Sequence, residues 1–334
     1  MRTLIILFIS VLLAGGDDDD LLLDHPYEFK QPEHFPAPVY DLERNPITGA
    51  GFLLGKKLFN DPRLSSDRSV ACSSCHAQAV AFADPQHRFS QGVDGRFGNR
   101  NAPQMANLAF MREFFWDGGV ADLDFVPINA IEHPDEMGSS LADVVAFLQT
   151  DAEYPALFNT AFSVDTITSA LVLQAFAQFT NLLISDRSKY DDVVLNRNDA
   201  AFTAIELRGE QLFNQHCANC HQPPLFTNQG FANNGLDAEF TDEGRAGISG
   251  NPLDIGKFRI PSLRNVTRTS PYMHDGRFDS LEEVLDHYSA GITNSPTLAS
   301  ELSNGIDLTP EEKIAIIEFL GTLTDYEFIR DQRF

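Results

Sequence analysis

All four cysteines of this 334-residue chain sit in two copies of one pattern, Cys72-Ser73-Ser74-Cys75-His76 and Cys217-Ala218-Asn219-Cys220-His221. Cys-x-x-Cys-His is the attachment signature of c-type haem. Its two sulfurs can form thioethers to the porphyrin, and the adjoining histidine stands where it can ligate iron from the proximal side. A structural zinc site would need four clustered ligands, and a redox dithiol has no use for a trailing histidine in both copies. The pattern therefore predicts two covalently bound c-type haems, held by Cys72 and Cys75 and by Cys217 and Cys220, with His76 and His221 on the irons.

Residues 1–16 read as an export signal, with Arg2, an apolar run from Leu4 to Leu13, and the small residues Ala14, Gly15 and Gly16. The run is too short to span a bilayer. Leu13-Ala14-Gly15-Gly16 resembles a lipoprotein signal box that lacks its cysteine at Gly16, so a soluble periplasmic protein is expected. Residues 17–45, with four aspartates at 17–20 and a Pro-rich continuation, read as a solvated acidic leader. The apolar stretch from Thr166 to Ile184 is interrupted by Gln174, Gln178, Thr180 and Asn181, which favours a buried amphipathic helix over a membrane span. A net charge of −24 excludes nucleic acid as a partner. It suits the docking of a basic redox protein, or equally a plain solubilising surface.

The chain is organised by an internal repeat. Gly55-Lys56-Lys57-Leu58-Phe59-Asn60 precedes the first motif, and Gly209-Glu210-Gln211-Leu212-Phe213-Asn214 precedes the second. Both read as amphipathic helices carrying Leu-Phe toward a haem. After the first motif come Pro103, Asn107 and Trp116-Asp117-Gly118; after the second come Pro261, Asn265 and His274-Asp275-Gly276. The offsets from proline match in both copies, which points to two related halves. The expected fold is mostly α, with two cytochrome-c-like haem domains in tandem (46–199 and 200–334) and long haem-lining loops. The segment from Leu141 to Ser185 should pack helices around the first.

The repeat also compares the two irons. An iron with two strong axial ligands suits electron transfer, whereas one with an open position can activate a small molecule. Tyr288 lies 14 residues after His274, and the matching residue of the first copy is Ala130, which cannot ligate. This suggests a capped second haem and an open first one. His287 and Met273 are rival ligands for the second, and His87 and His133 are candidates to cap the first. His25, His34 and His216 read as surface or capping residues, and Met105, Met111 and Met137 as packing.

Arg100-Asn101-Ala102-Pro103, Phe115-Trp116-Asp117-Gly118, Glu136-Met137-Gly138 and Pro271-Tyr272-Met273-His274-Asp275-Gly276 resemble the bacterial dihaem cytochrome c peroxidase family, and within it the MauG-type members, from about Pro46 onward. The resemblance implies that Tyr288 ligates the second iron, where ordinary members use methionine. Ordinary members also cap the first haem with a histidine in a Gly-His-Gly segment. Here that segment reads Gly92-Val93-Asp94-Gly95, and valine cannot bind iron. The resemblance further implies that Glu136 is the distal carboxylate that moves a proton between the peroxide oxygens. It makes Trp116 an electron relay between the haems and His274 a residue at a haem edge. It places Asn101, Thr269 and Pro271 around a calcium ion between the domains. A proline is usual where Ala130 stands, so this pocket should be roomier.

These readings converge on an exported oxidoreductase that reduces hydrogen peroxide at the His76 haem, the second haem and Trp116 relaying electrons or storing oxidising equivalents. Electrons would come from a small cytochrome c or a cupredoxin, and a homodimer is plausible for the family. Two alternatives stand beside it: oxidation of residues on a protein partner, and a non-catalytic dihaem electron carrier.

Overall fold

The computed structural model describes residues 27–84 and 86–334; the expected signal, Gly16, His25 and the four aspartates lie outside them. The described chain is mostly helical. Its only paired strands are two residues each, β1 (Phe231–Ala232) and β2 (Phe258–Arg259), antiparallel. Helices longer than one turn are α1 (Gly49–Phe59), α2 (Val126–Glu132), α3 (Leu141–Thr150), α4 (Tyr154–Phe162), α5 (Ser169–Thr180), α6 (Lys189–Val194), α7 (Ala204–His216), α8 (Leu281–Asp286) and α9 (Pro310–Gly321).

Local chemistry sets their ends. The Thr48 hydroxyl caps α1 by accepting from the Gly51 N–H, and Lys56 and Lys57 sit in its last turn, against the negative end of the helix. Reciprocal Thr203–Glu206 and Thr309–Glu312 boxes start α7 and α9, the latter with proline at its first position. The Leu-Phe pairs of α1 and α7 are buried as expected.

The repeat extends to packing. α1 crosses α5 with Gly55 against the Ala175 carbonyl, and α7 crosses α9 with Gly209 against the Ala315 carbonyl. A Cβ at either glycine would lie 2.1 or 1.9 Å from that oxygen and 2.8 Å from the Cβ of Phe179 or Phe319. The two asparagines after the prolines both take left-handed backbone, φ 63° at Asn107 and 59° at Asn265. The Asn107 Oδ1 accepts from Ser185 N at 2.8 Å, and the Asn265 Oδ1 from Asp325 N at 2.8 Å. Each side chain thus clamps the segment leaving the second helix of its crossing. Beyond them, Phe114 pairs with Val120 and Tyr272 with Phe278 in matching bridges.

Three aromatic-rich cores result, the first around Phe52, Phe59, Phe82 and Phe179, the second around Phe213, Phe226 and Phe319, and a third around Phe35, Tyr40, Phe110 and Phe114. As expected, α3, α4 and α5 enclose the first. The packing departs from a clean division at 199/200. Tyr190 of α6 already belongs to the second core, whereas Phe328 and Ile329 return to the first. Gln78, two residues past His76, donates its amide to the carbonyls of Phe328 at 3.2 Å and Asp331 at 2.8 Å.

Residues 27–45 are not a solvated leader. Phe35 packs edge-on to Phe110, and the buried Tyr40 hydroxyl donates to Asp124 at 2.6 Å. His34 meets Asp191 at 2.7 Å, and Asp191 takes a two-pronged pair from the fully buried Arg264 at 2.7 and 2.9 Å. Aromatic anchors in a Pro- and acid-rich stretch overrode its composition.

Candidate active site

A single cavity of about 740 Å³ receives residues from both Cys-x-x-Cys-His motifs. Each motif sits on a tight turn whose His N–H bonds back to the first cysteine's carbonyl, at 3.0 Å for His76 and 2.9 Å for His221. The imidazoles are held from behind. His76 Nδ1 lies 2.7 Å from the Phe82 carbonyl; His221 Nδ1 lies 3.2 Å from that of Phe226 and 3.1 Å from that of Pro261. A carbonyl can only accept, so Nδ1 carries the proton and Nε2 keeps a free lone pair. Burial pushes both imidazoles down, His221 to about 4, against the opposing pull of those carbonyls. Phe82 and Phe226 aim the carbonyls by taking left-handed backbone, φ 60° and 53°.

No disulfide joins the four cysteines, and burial first of all pushes the thiols of Cys72 and Cys217 up to about 12 and of Cys75 to about 11. A large apolar cavity, paired thiols at its wall and neutral imidazoles with free Nε2 fit two c-type haems. Among the described residues no cluster of three or more His, Cys, Asp or Glu side chains is arranged to hold a metal ion by itself.

On the first motif's side, α2 turns Val126, Pro127, Asn129 and Ala130 to the cavity, and the loop after it adds His133 and Glu136. The Glu136 carboxyl is half-buried and makes no hydrogen bond within the described residues. Burial raises its pKa; a protonated His133 pulls it down and Asp135 pushes it up. His133 is exposed at the rim, its Nδ1 accepting from Asp135 N at 3.2 Å. His87 does not line the cavity and lies 3.4 Å from Asp84. Val93 is fully buried in the first core, its N–H bonded to the Glu136 carbonyl at 2.8 Å.

On the second side Tyr288 and Met273 line the cavity and His287 does not. His287 Nε2 donates to the Asn234 carbonyl at 2.9 Å, and its Nδ1 faces Gly291. The Asn234 amide donates to Met273 Sδ at 3.3 Å. Burial raises the Tyr288 phenol, and a hydrogen bond from Asn234 draws it back down.

Trp116 lies where the two halves meet. Its Nε1 donates to the Asn101 carbonyl at 2.8 Å, and its own carbonyl accepts from Arg259 N at 2.7 Å. Arg100 pairs with Asp117 from one half and with Asp242 from the other. His274 is buried and stacked on Phe258 at 3.6 Å, its carbonyl accepting from Asn101 N. Asn101, Thr269 and Pro271 all line the cavity, with the Asn101 amide on the Arg88 carbonyl at 3.1 Å. All thirteen site residues expected from the sequence meet in this one cavity. Sequence reasoning missed Arg100, Arg259 and Asn234, whose roles depend on partners far away in the chain. Only Arg100 carried a signal, its place in Arg100-Asn101-Ala102-Pro103.

Comparison with known proteins agrees with this architecture. The family model described as di-haem cytochrome c peroxidase matches residues 49–199. The methylamine utilization protein MauG of Methylorubrum extorquens is 36% identical over 300 residues, covering 88% of this chain and 83% of that protein. The cytochrome-c peroxidase IdrP1 of a Pseudomonas species is 32% identical, covering 86% and 84%. A solved MauG-like protein associated with microbial copper homeostasis superposes with a TM-score of 0.85 at 33% identity, covering 92% of this chain and 98% of that one. The chain belongs to the dihaem cytochrome c peroxidase family, MauG type. It is therefore a haem-dependent oxidoreductase of the peroxidase and MauG kind.

Proposed function

We propose that this protein is an exported enzyme that reduces hydrogen peroxide at a haem held by Cys72, Cys75 and His76. A second haem, held by Cys217, Cys220, His221 and Tyr288, would pass electrons to the first. When bound, c-type haem supplies the iron that takes up peroxide and exchanges electrons with it. The halves 46–199 and 200–334 act as tandem haem domains, with Tyr190 and residues 328–334 exchanged across the seam.

The observation that carries this reading is Glu136. A half-buried carboxyl with no hydrogen-bond partner among the described residues, facing the same cavity as His76 and with the non-ligating Ala130 beside it on that wall, is free to work on a proton. Its carboxylate oxygen would take a proton from one peroxide oxygen and deliver it to the other, while the bound haems would supply the electrons that reduce peroxide to water. Trp116, fixed at Nε1 and at its carbonyl, bridges the two halves for electron transfer. His274, stacked on Phe258, would sit at a haem edge. Asn101, Thr269 and Pro271 offer oxygens suited to calcium. The acidic chain favours a basic donor such as a small cytochrome c or a cupredoxin. Among the described residues no helix is long and apolar enough to cross a membrane, which suits a periplasmic enzyme.

Glu136→Gln tests the assignment. Peroxide turnover should fall on the order of 10²-fold or more, with both haems still attached; full turnover in that variant would remove Glu136 from the chemistry. A second reading, oxidation of a protein partner, is favoured by the Tyr288 phenol in the cavity and by the likeness to MauG.

A further inference from the structure

Three candidate ligands lie on or beside the second motif's side of the cavity: Met273, His287 and Tyr288. One residue engages the first two. The backbone carbonyl of Asn234 accepts from His287 Nε2 at 2.9 Å. Its side-chain amide donates to Met273 Sδ at 3.3 Å.

Asn234 is itself held in place. The Gly235 N–H bonds to the Asn233 Oδ1 at 2.8 Å, and the Asn233 amide reaches Ser295 and Thr297, both at 2.9 Å. Thr293 N and Ala299 N return to the carbonyls of Gly235 and Asn233, at 2.7 and 3.0 Å. Gly235 takes φ +74°, and a Cβ there would lie 2.7 Å from Ile292. The 293–299 segment thus fixes the loop that carries Asn234.

We propose that Asn234 is the positioning residue that selects tyrosine as the second iron's ligand, occupying the Met273 sulfur and the His287 imidazole and so leaving the iron to the Tyr288 oxygen. Both rivals are weakened as ligands. A thioether that accepts a hydrogen bond has less lone pair for iron, and an imidazole whose Nε2 carries a proton toward a carbonyl has none there. The phenol oxygen of Tyr288 keeps lone pairs for iron. This inference rests on Tyr288 being the second iron's ligand.

The test is spectroscopic and uses the intact dihaem protein. In Asn234→Leu the amide is gone while the backbone carbonyl still holds His287, so Met273 alone is released. The expected result is loss of the tyrosinate signature in the EPR and optical spectra and an upward shift of the second haem's potential, since methionine raises it. Adding Met273→Leu to Asn234→Leu should undo the upward shift, which a merely structural defect would not do. Asn234→Ser, which keeps one donor, should fall between and serves if the leucine variant does not fold. An unchanged spectrum and potential in Asn234→Leu overturns the proposal. If instead Tyr288→Phe leaves the second haem's spectrum unchanged in the otherwise native chain, the tyrosine reading itself falls.

Discussion

Burial holds the Glu136 carboxyl above its usual range, and His133 at the rim, once protonated, draws it back. If the carboxylate form accepts the first proton, activity is lost as pH falls through this raised value. The acid limb of kcat/KM for peroxide should therefore lie above about 4.3, the ordinary glutamate value. His133→Asn removes the downward pull, so the limb should move to higher pH; a limb that stays in place would show that the two do not communicate. At this scale the sequence was informative where chemistry forces a residue type. Thioether cysteines, iron-binding histidines and a missing histidine at Val93 are such positions. Phe82 and Phe226 were invisible, because nothing in a phenylalanine announces a left-handed backbone or a carbonyl aimed at an imidazole. Asn234 escaped for a related reason, since its partners lie 39 and 53 residues away.

Glycine at a helix crossing sets two effects against each other. Replacing Gly209 by alanine favours the helix by about 1 kcal/mol. The new Cβ, however, would lie 1.9 Å from the Ala315 carbonyl, a backbone atom that cannot swing aside. Overpacking of this kind costs about 1–3 kcal/mol, and so close an approach places it at the upper end. Gly209→Ala should lower the denaturation midpoint and disturb the spectrum of the second haem, while Gly55→Ala should act on the first. A rise in midpoint for either would mean that the helices separate freely. The Leu-Phe helices could be read from the repeated hexapeptides, whereas their partners went unmatched. Ala175 and Phe179 correspond to Ala315 and Phe319, with two apolar residues and then Gln178 or Glu318 between them, a likeness too short to stand out until the crossing gives it meaning.

Across the whole molecule, the buried Asp191–Arg264 pair ties α6 to the second half, and His34 adds residues 27–45 to the tie. Burial alone would raise the Asp191 carboxyl, yet the hydrogen bonds from Arg264 and His34 outweigh it and hold it well below the usual range. A carboxylate depressed in the folded state stabilises fully above its unfolded value, near pH 4, and loses that contribution as pH falls toward the folded one. Asp191→Asn leaves Arg264 buried without its counter-charge and should cost about 3–5 kcal/mol at neutral pH. The gap between variant and native stability should close in acid below about pH 4; a constant gap would deny the electrostatic origin. The net charge gave no hint of this centre, since a buried pair cancels within the total.

Residues 328–334 supply the wall behind His76, and they stand more than two hundred residues after Cys72 and Cys75 in the chain. The first core is therefore complete along the Gln78 side only when this distant segment has docked. The second motif lies on a core built almost entirely from its own neighbours in the chain. Chain order and packing order are thereby crossed: the half that comes first in the sequence needs the last residues to close it.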